Sequence, residues 1–262
     1  MKTTNIYYWS PFLVNIATNQ AVVNFACSIS KYGENFKSSI INFFGEFQKY
    51  ERKISENKVN LINFYPKNIY NLFPRHGYLK SRISFIIIYI LSFLPLLNIL
   101  NKKKPDYLIV HLITSLPLTL LLLFKFKTKF ILRISGLPKF NFLRKLLWQL
   151  SLNKIYAITC PTEATRQHII SLNIASKDKI FLLSDPVIDV KKISKLKKEN
   201  IPIKNKKFIF AAGRLTKQKN FELMIDGFNK VYKEFPNIQL IIAGEGELEK
   251  KLKSKVKNLH LD

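Results

Sequence analysis

Arg214 and Lys219 stand five residues apart where an apolar run, FIFAAG, gives way to an amphipathic stretch, FELMIDGF. A guanidinium offers a planar fork of donors that grips two oxygens of a diphosphate, and an ammonium adds a point charge beside it. If the apolar run is a strand ending at Gly213 and the amphipathic stretch a helix, both cations lie at a strand's carboxyl end beside a helix N-terminus. Open α/β sheets bind ligands there, and the helix adds unpaired N–H groups and a positive dipole end that suit phosphate. The pair reads as an anion site or, in a chain with 43 Lys and Arg, as two exposed cations.

The elements that must hold such a site alternate in type. β-rich apolar runs span Asn5–Trp9, Ser39–Phe43, Tyr107–His111, Lys129–Ile134, Ile155–Thr159 and Lys179–Leu182. Helical patterns fill the intervals at Ala17–Lys31, Lys80–Leu100, Ser115–Phe126, Phe142–Leu152 and Glu163–Leu172. This order predicts a parallel sheet covered on both faces by helices, with Thr162 as an N-cap. A lysine-dense connector over 187–207 separates that domain, 1–186, from a second region, 208–262. There strand Phe208–Ala212, helix Lys217–Phe235, strand Ile238–Ala243 and helix Glu247–Val256 begin another doubly wound domain. Four such elements bury little core by themselves.

Composition narrows the partners. The 262 residues carry a formal net charge of +26, and 47% are hydrophobic. That excess attracts phosphate-bearing molecules or an anionic membrane face; it reads equally as the bias of a Lys-, Asn- and Ile-rich coding sequence. No helix-turn-helix, zinc-finger or RNP signature accompanies it, so nucleic acid is not an expected partner. Cys27 and Cys160 form no CxxC pattern, which fits a reducing cytosol. The four histidines share no HExxH-like spacing, so no metal site is expected. The N-terminal residues have no apolar run of the signal-peptide kind. The uncharged stretch Ile83–Leu100 reads as a membrane span, a buried helix or a membrane-surface helix; its Ser, Pro and Asn favour peripheral contact over a span.

The segment G-R-L-x-x-x-K-N followed by an amphipathic helix resembles the G-R-L-x-x-x-K-G opening of the C-terminal domain in GT-B glycosyltransferases of family 4. IQLIIAGEGELEKKL resembles that domain's second strand and its glycine-rich turn. KKPDYLIVHLITSLP, TKFILRISGLP and ITCPTEATRQHI resemble successive strands of the family's N-terminal domain. The resemblance implies a GT-B-like α/β fold: one doubly wound Rossmann-like N-terminal domain plus an incomplete second one. It implies that Gly213, Arg214 and Lys219 contact the donor's diphosphate and that Gly244, Glu245 and Gly246 line the nucleotide cleft. His111 falls at a strand end facing the cleft, or is a buried histidine bonded to its neighbours. Ser135 replaces a family histidine and can donate a hydrogen bond to a phosphate or sugar without imidazole chemistry. Arg133 reads as a phosphate contact or as an ion-paired residue.

Three departures stand out: Asn220 replaces the usual glycine, the turn over residues 10–15 contains no glycine, and Asp262 comes before any E-x7-E segment. The implied activity is retaining, metal-independent transfer of a hexose from a nucleoside-diphosphate sugar to a hydroxyl acceptor, with no cofactor. The acceptor would be a glycan or lipid-linked molecule in surface polysaccharide synthesis, at the cytoplasmic membrane face. Without the E-x7-E carboxylates, activity is expected to collapse. The alternative is a non-catalytic remnant or partner-dependent half that binds an acceptor or a membrane.

Overall fold

Seven short strands rich in β-branched and aromatic residues pair in parallel, in the order β3-β2-β1-β4-β5-β6-β7. They are β1 Thr4–Trp9, β2 Phe36–Asn42, β3 Asn60–Asn63, β4 Tyr107–Val110, β5 Lys129–Arg133, β6 Ala157–Cys160 and β7 Ile180–Leu182. The computed structural model describes residues 2–12, 17–66, 78–138, 140–199 and 207–261. The chain starts at the middle of the sheet, winds outward through β2 and β3, then returns to β4 beside β1. That reversal makes the carboxyl ends of β1 and β4 a topological switch point, where doubly wound sheets open a crevice.

Successive side chains of β1 point to opposite faces. Ile6 and Tyr8 enter a core with Val22, Val23 and Ala26 of helix α1 (Ala17–Tyr32) and Ile54 of α2 (Glu51–Glu56). Trp9 enters the larger core on the other face. There α3 (Tyr78–Asn98), α4 (Ser115–Leu123) and α5 (Phe142–Leu152) pack, with α4 against both neighbours. Helix α6 (Glu163–Ser171) begins at Thr162, whose Oγ1 accepts from Thr165 N at 3.2 Å. Edge strand β3 and short helix α2 have no counterpart among the expected elements. Asn60–Asn63 is too short and polar for alternation to reveal.

The chain divides into two units, Met1–Asp189 and Val190–Asp262. In the second, Val190–Leu196 forms an exposed helix, α7, inside the stretch expected to be an open connector. Strands β8 (Lys207–Ala212) and β9 (Ile238–Ala243) pair in parallel, joined by α8 (Phe221–Glu234) and followed by α9 (Glu249–Asn258). Leu215, Phe221, Ile225 and Leu252 form a small core. Phe208 and Phe210 of β8 remain 42% and 59% exposed, as expected of two strands with too few helices to cover both faces.

At the end of β5, Arg133 is 2% exposed and donates from Nε (3.2 Å) and one terminal nitrogen (2.6 Å) to Asp185 Oδ1. Its other terminal nitrogen donates to the Leu183 carbonyl. Asn24 of α1 donates to the Pro186 carbonyl. Together they strap the segment after β7 to the rest of its unit. Replacing Asp185 by Ala leaves a guanidinium buried without its counter-charge and should destabilise unit 1 by about 3–5 kcal/mol. Denaturant unfolding checks this; a loss below about 1 kcal/mol would mean that the strap bears no load.

Candidate functional site

Unit 1 carries a cavity of about 740 Å³ at the carboxyl ends of β4 and β5. His111, Arg133 and Ser135, three residues singled out from the sequence, all line it. His111 follows β4 directly at the switch point, where its backbone N–H donates to the Trp9 carbonyl at 2.9 Å. Its ring is 3% exposed, packs near Tyr8 and Phe25, and neither ring nitrogen has a hydrogen-bond partner among the described residues. A buried imidazole with both nitrogens unpaired departs from the usual satisfaction of polar groups and is poised for a ligand's hydroxyl or phosphate.

Burial, reinforced by the positive charge of Arg133, pushes the His111 pKa down from 6.5 to about 3. The ring is therefore neutral at physiological pH and can both donate and accept. Arg133 also lines the cavity, but all three of its nitrogen groups are committed to Leu183 and Asp185. Ser135 is exposed at the mouth.

The loop after β4 holds a feature that spacing did not reveal. Ile113 adopts φ 47°, a left-handed conformation that β-branched residues rarely take and that costs about 1–3 kcal/mol. Its carbonyl accepts from the Trp9 indole at 3.3 Å, and its side chain is 7% exposed. Buried packing thus holds the strained turn beside His111. Arg144, another cavity residue, lies over Phe140 and Trp148 with its guanidinium carbon 5.7 and 5.3 Å from the ring centroids. The aromatics four residues to either side of Arg144 were the sequence signal for this stacked cation.

Unit 2 holds the second candidate. Gly213 N donates to Ala243 O at 2.9 Å, Leu215 N to Glu245 O at 2.9 Å, and Leu248 N to Leu215 O at 3.0 Å. The ladder of β8 and β9 therefore continues into the turns beyond them. Gly244 and Gly246 permit that approach: a Cβ on Gly244 would sit 1.9 Å from Gly213 O, and one on Gly246 2.5 Å from Leu215 O. Both glycines are set by backbone packing, and the Glu245 side chain between them is exposed.

Arg214 and Lys219 are exposed, and among the described residues neither side chain has a hydrogen-bond or ion-pair partner. A Cβ on Gly213 would meet Lys219 Cδ at 3.8 Å, so the lysine stem lies against the end of β8 beside Arg214. The long helix begins later than expected: Lys217–Lys219 is a separate 3-10 turn, and α8 starts after Asn220. Asn220 is left-handed (φ 49°, ψ 47°), the conformation for which glycine is the default and asparagine a tolerated substitute. Asn220 thus keeps the turn that a glycine at this position would give.

Among the described residues no group of three or more His, Cys, Asp or Glu could hold a metal ion. The glycine-free turn over 10–15 and His76 lie partly or wholly outside the described residues.

Residues 192–262 match the family model for glycosyl transferases group 1. An uncharacterized glycosyltransferase, MJ1059, of Methanocaldococcus jannaschii is 28% identical over 260 residues, covering 92% of this chain. The chain spans 60% of that relative's length. A solved glycosyltransferase from Rickettsia africae matches 100% of this chain and 66% of its own, with TM-score 0.62 and 15% identity. UDP-GlcNAc 2-epimerase from Neisseria meningitidis, solved with UDP-GlcNAc, matches over 99% of this chain and 69% of its own, with TM-score 0.59 and 15% identity. At such identities the solved structures bear on the fold alone, and they agree with the doubly wound, GT-B-like architecture.

Two outcomes follow from this geometry. Gly244→Ala should destabilise unit 2 by about 1–3 kcal/mol through backbone overlap, read by thermal or denaturant melting; an unchanged midpoint would contradict the close approach. The unfolded chain binds more protons at His111 than the folded one between pH 6.5 and 3, so stability should fall on acidification through that window. Proton NMR of the His111 ring should show no protonation until near pH 3. A midpoint near 6.5 would contradict its burial.

Proposed function

We propose that this chain, which is of the group 1 glycosyltransferase type, supplies the acceptor-side domain and the diphosphate-binding turn of an enzyme that moves a hexose from a nucleoside-diphosphate sugar to a hydroxyl acceptor. The observation that carries the reading is the loop after β8: two cations whose side chains are unpartnered among the described residues stand beside a helix start, on a turn packed against Gly244 and Gly246 of the turn after β9, which admit no side chain. In the transfer, the bond from the anomeric carbon to the diphosphate oxygen breaks, and a bond to the acceptor oxygen forms. The departing diphosphate keeps the electron pair, and the acceptor loses its proton. Arg214 and Lys219 would meet the charge that develops on the leaving group, the kind of preorganised electrostatics that supplies large catalytic terms. Retention of configuration and independence from a metal ion belong to this proposal, with the cations and helix end in the metal's place.

The unit 1 cavity would take the acceptor. Neutral His111 and the Ser135 hydroxyl can orient a sugar hydroxyl, while Arg144 offers a cation to an acceptor phosphate. A glycan or lipid-linked acceptor in surface polysaccharide synthesis, at the cytoplasmic face of a membrane, fits a cavity with polar floor and apolar rim. A second reading, a partner-dependent half, is favoured by the exposed Phe208 and Phe210 on β8, an apolar strand face suited to further polypeptide.

Release of nucleoside diphosphate from a nucleotide hexose tests the first reading. In a form that also carries an E-x7-E segment, Arg214→Ala should lower the rate by roughly 10² or more. A rate near that of the unmodified chain would dispose of the assigned role. Turnover only after a second polypeptide is added would favour the second reading.

A further inference from the structure

Two helices on one face of the unit 1 sheet turn apolar side chains outward. Right-handed crossovers place α3, α4 and α5 on the same face, and α4 packs against both others. On α3, Ile86, Ile90 and Leu94 are 59%, 65% and 71% exposed. On α5, Phe142, Leu146 and Leu150 are 80%, 42% and 57% exposed. Spacing of four residues puts each trio on one stripe of its helix. The opposite sides already serve the core through Ile88, Leu96, Trp148 and Leu152. These stripes are therefore surplus to folding, and together they exceed the scattered apolar residues of an ordinary surface.

Charge identifies what covers them. Exposed lysines border the face: Lys102, Lys103 and Lys104 after α3, Lys125 and Lys127 after α4, and Lys145 within α5. From Tyr78 to Tyr156 the sequence contains a single acid, Asp106. A second copy of the chain would bring these lysines against one another, whereas anionic lipid headgroups would pair with them.

We infer that unit 1 docks on an anionic bilayer through the outward stripes of α3 and α5. The apolar side chains enter the headgroup–acyl boundary, and the lysines stretch to lipid phosphates. Helix α3 is long and apolar enough to span a bilayer, but a third of its apolar window is buried within unit 1. Crossing the membrane would strip Ile88 and Leu96 from the core. Docking also explains the cavity's rim, where Phe85 of α3 and Leu143 of α5 join Leu137, all exposed. The mouth opens beside the docked helices, so the acceptor is a bilayer-resident amphiphile whose polar head enters the cavity. That last step rests on the glycosyl-transfer reading; the docking does not.

The test sediments the full chain with phosphatidylcholine vesicles, with and without phosphatidylglycerol. Binding is expected to the anionic vesicles, weakened by salt and reversed by alkaline carbonate. A variant combining Ile90→Glu, Phe142→Glu and Leu146→Glu should keep the melting midpoint and bind at least tenfold more weakly. An environment-sensitive fluorophore at Phe142→Cys should shift to the blue on adding vesicles, whereas one at Lys31→Cys, at the end of α1 on the other sheet face, should not. Equal binding by the triple variant, equal shifts at both positions, or no vesicle binding would overturn the proposal. So would carbonate-resistant insertion, or a lipid-free dimer that the triple variant dissolves. Since no nucleotide sugar enters the assay, intact docking with no transfer by a form that also carries an E-x7-E segment would count against the transfer reading alone.

Discussion

Two backbones in unit 2 come together more closely than any side chain permits, and the candidate diphosphate site depends on that approach. A Cβ at Gly244 would overlap the Gly213 carbonyl, and one at Gly246 would overlap the backbone of Leu215. The hydrogen bonds Gly213 N to Ala243 O and Leu215 N to Glu245 O then pin the turn that carries Arg214. Asn220, left-handed at the start of α8, turns the chain back so that Lys219 lies along the end of β8. Two flexible cations are thereby presented from a rigid turn. A preorganised charge loses less on meeting a phosphate than one that must first be ordered.

Unit 1 solves a different problem at the equivalent end of its own sheet. It buries a guanidinium and an imidazole near each other without burying two charges. Asp185 pairs with the Arg133 guanidinium, while burial and that same positive charge hold His111 neutral. Neutrality leaves the imidazole able to donate and accept in a cavity whose lining also includes hydroxyls, the Asn141 amide and the stacked Arg144 guanidinium. The strained turn at Ile113 persists because Trp9 and the surrounding core hold it.

Much of this was legible in the residues. Alternating apolar runs and helical patterns located six of the seven unit 1 strands, since buried parallel strands read as near-continuous apolar segments. Edge strand β3 escaped because its pattern, NLIN, is short and half polar. The left-handed turn at Asn220 could be anticipated from the residue type. The dual nature of Gly244 and Gly246 could not, because only the neighbouring backbone shows that a methyl group would not fit. Likewise, a lone arginine in KFILRIS does not reveal that its partner lies 52 residues onward at Asp185. Long-range pairing leaves no local period. The outward stripes on α3 and α5 are shown only by their exposure, which places them away from the core.

The central claim is that the turn after β8 binds a diphosphate, and amide chemical-shift mapping during titration with UDP tests it most directly. The account predicts that the largest shifts cluster on Gly213 to Asn220 and on Gly244 to Gly246, and that they vanish when Arg214 and Lys219 are both alanine. Shifts absent from that turn, or unchanged in the double variant, would contradict it.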